Sequence, residues 1–182
     1  MKATQILMDE HRVIERVLTV MEKAVEMLRQ GKAVKPAFFQ NAADFIKGFA
    51  DGCHHAKEEK VLFGAMVKAG IPKEGGPVGM MLMEHEQGRA FVRALQDGVE
   101  KWQSGDEEGQ KETIKAARGY IDLLQAHIYK EDKILFPLAD DAILWDDQEQ
   151  IARDFERIEQ EETGEGVHEK YLALAEKLEM AI

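Results

Sequence analysis

Apolar residues recur along this chain at alternating steps of four and three, the period that places them on one face of an α-helix. The first such run, from Thr4 to Gln30, carries the seam Leu7, His11, Ile14, Leu18, Met21, Val25 and Leu28; Thr4 is a capping residue type and Gly31 supplies a C-terminal stop. A second helix is predicted from Pro36 to just before the loop GIPKEGGP at 70–77, and its apolar face starts with Phe38, Ala42, Phe45 and Phe49. The third opens at Pro77 and closes at Ser104 and Gly105, with Val78, Met81, His85, Gly88, Val92, Leu95, Val99 and Trp102 as its seam. The fourth runs from about Asp106 to Pro137 or slightly beyond, with Tyr120, Leu124, His127, Glu131, Ile134 and Leu138 on one stripe. Strand alternation is absent. Four long helices joined by short loops predict an all-α, up-and-down four-helix bundle over residues 1–140. Residues 141–182 are expected to form a C-terminal helical arm, interrupted at 163–166 and ending in the stripe Val167, Tyr171, Leu174, Leu178 and Ala181. That arm is expected to pack on the bundle or on a partner, with a homodimer contact as one use of it.

Histidines occupy apolar slots in these seams, and an internal repeat explains why. HHAKEEKVLF at 54–63 aligns without a gap on HIYKEDKILF at 127–136, and Glu10-His11 aligns on Glu84-His85. Each half therefore offers one seam histidine and one His-x-x-x-Glu pair, and residues four apart on a helix project from nearly the same face. Several imidazoles and two carboxylates in a bundle core are costly to bury bare, and a pair of cations resolves that cost. Imidazole suits iron, zinc or copper, and a carboxylate has two oxygens with which to bridge two ions. The inferred metal ligands are His11, His54, Glu58, His85, His127 and Glu131, with His55, about 100° round the helix from His54, ranked below them. Glu59 and Asp132 are expected to cap the outer face of the site or to pair with Lys60 and Lys133. Glu10 and Glu84 are candidates to orient an imidazole through its other ring nitrogen. Tyr120 and Tyr129 lie near the fourth-helix ligands as candidate hydrogen-bond donors, with packing as their default role. Cys53 reads as an apolar filler, and the Glu165–His168 pair reads as chance because it flanks Gly166 and has no partner motif.

Charge narrows the partners. A formal net charge of -11 over 182 residues gives no electrostatic reason to bind nucleic acid or an anionic membrane. A lone cysteine forms no internal disulfide, and no apolar run approaches the roughly 20 residues that span a bilayer, so a cytoplasmic location is expected. Gly-rich phosphate loops, HExxH, CxxC and nucleophile elbows are all missing.

His11, the His54 to Glu58 motif, His85 and the His127 to Glu131 motif together resemble the hemerythrin-like family, the HHE cation-binding domain, over about residues 1–140. The resemblance implies a non-haem, carboxylate-bridged pair of iron ions that binds or senses dioxygen or another small diatomic. Other branches of the family act on peroxide or nitric oxide, or supply iron to damaged iron-sulfur clusters, and whether this chain is an enzyme is left open by the resemblance. Two departures matter. Oxygen-carrying hemerythrins have a further histidine four residues after the one resembling His85, where this chain has Arg89. Their last carboxylate lies five residues after its histidine, which would select Asp132, whereas the internal repeat selects Glu131.

Overall fold

The computed structural model describes residues 2–160, 164 and 166–182, and every regular element among them is helical. Helix α1 spans Ala3–Arg29. A continuous helical rod over residues 36–68 follows: α2 (Pro36–Phe45), π-helical stretches Ile46–His55 and Glu58–Leu62, then α3 (Phe63–Lys68). Next come α4 (Pro77–Gln103) and a second continuous rod over 107–142, made of α5 (Glu107–Lys130), a π-helical stretch Glu131–Leu135 and α6 (Phe136–Ala142). Two shorter helices, α7 (Trp145–Ile158) and α8 (Val167–Met180), complete the described chain.

Local chemistry accounts for the boundaries. Asp106 caps α5 by accepting from the Glu108 amide at 2.9 Å, and Pro36 and Pro77 sit in first turns, where a missing N–H costs nothing. Gly31, at φ 72°, closes α1 with its own N–H on Leu28 and the Lys32 N–H on Met27, a pairing that needs the left-handed conformation. Thr4 is not the cap expected of it. Lys2 precedes the helix without a side-chain bond, and the Thr4 hydroxyl instead donates to Asp140 at 2.8 Å, tying α1 to α6.

Two apolar clusters form the core. One gathers Ile14, Leu18, Phe45, Phe49, Val92, Leu95, Leu124 and Ile128; the other gathers Leu7, Leu62, Phe63, Met81, Leu135 and Phe136. Along α1 and α4 the chain passes from the second cluster to the first, and along the two rods it passes back, so successive long helical segments alternate in direction. His11, His54, Glu58, His85, His127 and Glu131 lie on these segments where they cross between the clusters. The centre is a polar layer with apolar packing on both sides.

The fourth-helix stripe is corrected by this geometry. Ile134 and Leu138 are exposed, whereas Leu135, Phe136 and Ala139 are buried. A π turn bonds residue i to i+5 instead of i+4, so the stretch Glu131–Leu135 advances the buried face by one residue. The terminal segment lies against the rest of the chain: Ile151 and Phe155 of α7 join the second apolar cluster, and Ala175 and Leu178 of α8 join the first. Tyr171 seats where Gly48 has no side chain; a Cβ there would lie 1.8 Å from its hydroxyl. No helix among the described residues is long and apolar enough to cross a membrane.

Candidate metal centre

All six ligands inferred from the repeat are buried in one layer, and His55 is buried with them. They form two groups whose donor atoms lie within 4.8 Å of one another: His11, His54, Glu58 and Glu131, and His55, Glu58, His85 and His127. Glu58 belongs to both. The His55 and His85 rings stack 3.8 Å apart, so His55 stands inside the centre and not beside it. A signal for this was present in the repeat: the counterpart of His55 is Ile128, an apolar residue that marks the position as interior.

The five imidazoles share one arrangement. Each turns Nδ1 outward onto a carboxylate: His11 to Asp132 at 2.7 Å, His54 to Glu10 at 2.9 Å, His85 to Glu59 at 2.7 Å, His127 to Glu84 at 2.8 Å, and His55 to Asp51 at 3.4 Å. An ionised carboxylate only accepts, so Nδ1 donates and Nε2 is left facing inward. Each carboxylate is in turn held by a cation: Arg12 on Asp132, Lys57 on Glu10, Lys130 on Glu84, and Arg89 on both Glu59 and Asp51. Such carboxylate partners fix ring orientation and raise the basicity of the inward nitrogen. Glu59 and Asp132 thus cap the outer face of the site, which they do by binding the rings of His85 and His11. Glu10 and Glu84 do orient imidazoles, those of His54 and His127. Arg89 points its guanidinium at Asp51, Glu59 and Glu86, outside the layer.

Inside the ring of nitrogens the chemistry is incomplete. His11 and His127 Nε2 each lie 3.2 Å from a Glu131 oxygen; His54 and His85 Nε2 lie 3.5 and 3.4 Å from Glu58. These are charge contacts without hydrogen-bond geometry, and among the described residues both oxygens of Glu58, both of Glu131 and Nε2 of His11 and His54 have no hydrogen-bond partner. Buried carboxylate oxygens left bare oppose folding strongly. Burial, reinforced by the neighbouring Glu131 charge, pushes Glu58 well above the usual carboxylate range. Burial would raise Glu131 too, but His127 and His11 overcome it and hold that carboxyl well below its ordinary value. Burial and the His11 charge lower His54 to about 4, and burial beside the His85 charge holds His55 well below its ordinary value. For His127, burial is outweighed by Glu131 and Glu84, which lift it to about 9. The donor set of bare carboxylate oxygens and inward imidazole nitrogens is thus one that divalent cations would complete.

A third group, Glu10, Cys53, Glu159 and His168, also lies within 4.8 Å, but the buried ammonium of Lys57 already bonds Glu10 and Glu159 there. Glu165 lies outside the described residues. Tyr129 is exposed, which takes it away from the centre, while Tyr120 is buried with its hydroxyl unpaired.

The family model described as the hemerythrin HHE cation-binding domain matches residues 2–139. The chain is 31% identical over 137 residues to the iron-sulfur cluster repair protein YtfE of Musicola paradisiaca, covering 72% of this chain and 60% of that protein. It is 23% identical over 163 residues to uncharacterized proteins of Mycobacterium tuberculosis and Mycobacterium bovis, covering 90% of this chain and 63% of each. The chain thus spans about three fifths of the length of these curated relatives. No solved structure matches it.

Proposed function

The chain belongs to the hemerythrin HHE cation-binding family, and from that premise we propose that it is a non-haem di-iron protein that binds or senses dioxygen or a related diatomic. One observation carries the reading: four buried carboxylate oxygens of Glu58 and Glu131 lack partners and face five imidazoles whose outer nitrogens are all committed to carboxylates. One iron would be held by His11, His54, Glu58 and Glu131, and the other by His55, His85, His127 and the shared Glu58. In this reading residues 1–140 are an up-and-down four-helix bundle carrying the centre, residues 141–182 are an extension packed on it, and the protein works in the cytoplasm. A bound iron pair would supply redox-active, Lewis-acidic metal. The chain's own part is to limit water at the centre: Leu7, Ile14, Met81, Val92 and Leu124, all buried, pack on the two sides of the layer, and a site with little water favours release of the ligand intact.

A second reading is favoured by the relative named as an iron-sulfur cluster repair protein. There the same centre turns over peroxide or nitric oxide, or gives up iron to a damaged cluster. His55 bears on the choice. It would add an imidazole to the second ligand group, where Arg89 offers none, and an added nitrogen donor would oppose release of iron.

The test is metal analysis of the protein purified without chelator, followed by absorption spectra through cycles of reduction, air exposure and evacuation. Two irons per chain, oxo-bridge charge-transfer bands and recovery of the starting spectrum on evacuation are expected. Irreversible oxidation with iron transfer to an apo-cluster acceptor selects the repair reading, and no metal after anaerobic reconstitution overturns both.

A further inference from the structure

A cavity of about 270 Å³ opens between the 36–68 rod and α4, and its inner wall is formed by His55 and His85 of the second ligand group. It therefore connects the outside of the molecule to one edge of the polar layer. Lys47 and Arg93 stand at exposed positions on its rim, and among the described residues neither has an ion-pair partner. The other charges on its wall are spent on each other, Arg89 holding Asp51 while Asp51 accepts from His55. Two uncompensated cations at one mouth stand out on a chain whose formal net charge is -11. Tyr120 completes the wall. Its hydroxyl is buried and unpaired, and burial together with the Asp51 charge keeps it protonated, so it is an available donor. Gly88 leaves the passage open beside the Tyr120 ring: a Cβ there would sit 3.6 Å from it in ordinary contact, and any longer side chain would extend into the cavity.

We propose that this cavity is an anion-selective entry chamber to the metal centre, in which a small monoanion is drawn past Lys47 and Arg93 and held by the Tyr120 hydroxyl beside His55 and His85. A neutral diatomic makes little use of a cationic rim or a phenol donor, whereas a monoanion with a hydrogen-bond acceptor uses both. Tyr120 is a binding residue of the chamber. The inner end of the proposal rests on the di-iron reading; the chamber itself does not.

The experiment follows azide binding to the full chain labelled with 13C at tyrosine Cζ, which gives three resonances, with that of Tyr120 identified through Tyr120→Phe. A saturable shift confined to Tyr120 is expected in metal-free and iron-loaded protein alike, with no such shift from uncharged acetonitrile. Lys47→Glu together with Arg93→Glu weakens azide binding roughly tenfold at low salt, because both charges are exposed and act only through the local field. Gly88→Leu abolishes the shift and, in the iron-loaded protein, slows the appearance of the iron–azide absorption band at unchanged iron content. An azide shift that is absent, matched by acetonitrile, or indifferent to the rim and Gly88 substitutions overturns the chamber. If the shift behaves as expected but no iron loads, the chamber stands and the di-iron reading falls.

Discussion

The two halves of the internal repeat build the same polar layer from the same parts except at one interior position, where the first half has His55 and the second has Ile128. Elsewhere the correspondence extends beyond the ligands. Lys57 holds Glu10 on His54 as Lys130 holds Glu84 on His127, and Glu59 serves His85 as Asp132 serves His11. The π stretches Glu58–Leu62 and Glu131–Leu135 also coincide when the halves are superposed in sequence. A buried isoleucine in one half and a buried imidazole in the other thus make two unequal ligand groups from one template. The difference shows that the number of nitrogens at each position of the centre is set by a residue outside the repeated His-x-x-x-Glu motif.

The largest expected effect comes from removing the shared member. Glu58→Ala is expected to lower bound iron from two per chain to one or none by elemental analysis. The same change relieves a bare buried carboxyl, so the metal-free variant is expected to melt at or above the metal-free parent while losing the rise in melting temperature that iron confers. His55→Ile leaves the second ligand group with Glu58, His85 and His127 while the first keeps its four residues; one iron is expected to remain tight while the other becomes removable by chelator, which competition titration would resolve into two steps instead of one. Glu10→Ala and Glu84→Ala act one bond further out, and each is expected to weaken metal binding by about 10- to 100-fold.

Proton release tests the same asymmetry. His127, lifted to about 9, carries a second ring proton in the metal-free protein at neutral pH, and Glu58, pushed well above the carboxylate range, holds its proton to higher pH than an ordinary carboxyl. Metal loading must expel them, so affinity is expected to rise with pH and to level off above the His127 value. Calorimetry in buffers of different ionisation enthalpy would count the protons. The smallest effect is reserved for a contact remote from the centre. Arg16 of α1 pairs with Glu179 of α8 at 2.6 Å, both partly exposed, and Arg16→Ala is expected to change unfolding free energy by about 1 kcal/mol or less with metal content unaffected.

Much of this architecture was legible in the sequence because side-chain period and helix geometry are directly linked. The seams of α1 and α4 run as the spacing predicts, with only Leu28 and Trp102 at their ends partly exposed. What the period does not encode is a change of hydrogen-bond register. Ile134 looks interior on an ideal α-helix and is exposed because five residues upstream of α6 are π-helical. Likewise the spacing of Lys57 gives no hint of complete burial. That lysine is accommodated only because Glu10 and Glu159, far apart in sequence, converge on it.

That lysine also gives the C-terminal segment a hold on the centre. Lys57 grips Glu159, just past the end of α7, with the same ammonium that steadies Glu10, and Glu10 in turn fixes the His54 ring. Pulling α7 away strips the ammonium of one counter-charge and drags on the other, so the His54 imidazole would feel a tug at a helix with which it shares no direct bond. The segment after residue 141 is in this sense a handle: besides its apolar packing through Ile151 and Phe155, it is tied to the His54 ring by way of the Lys57 nitrogen.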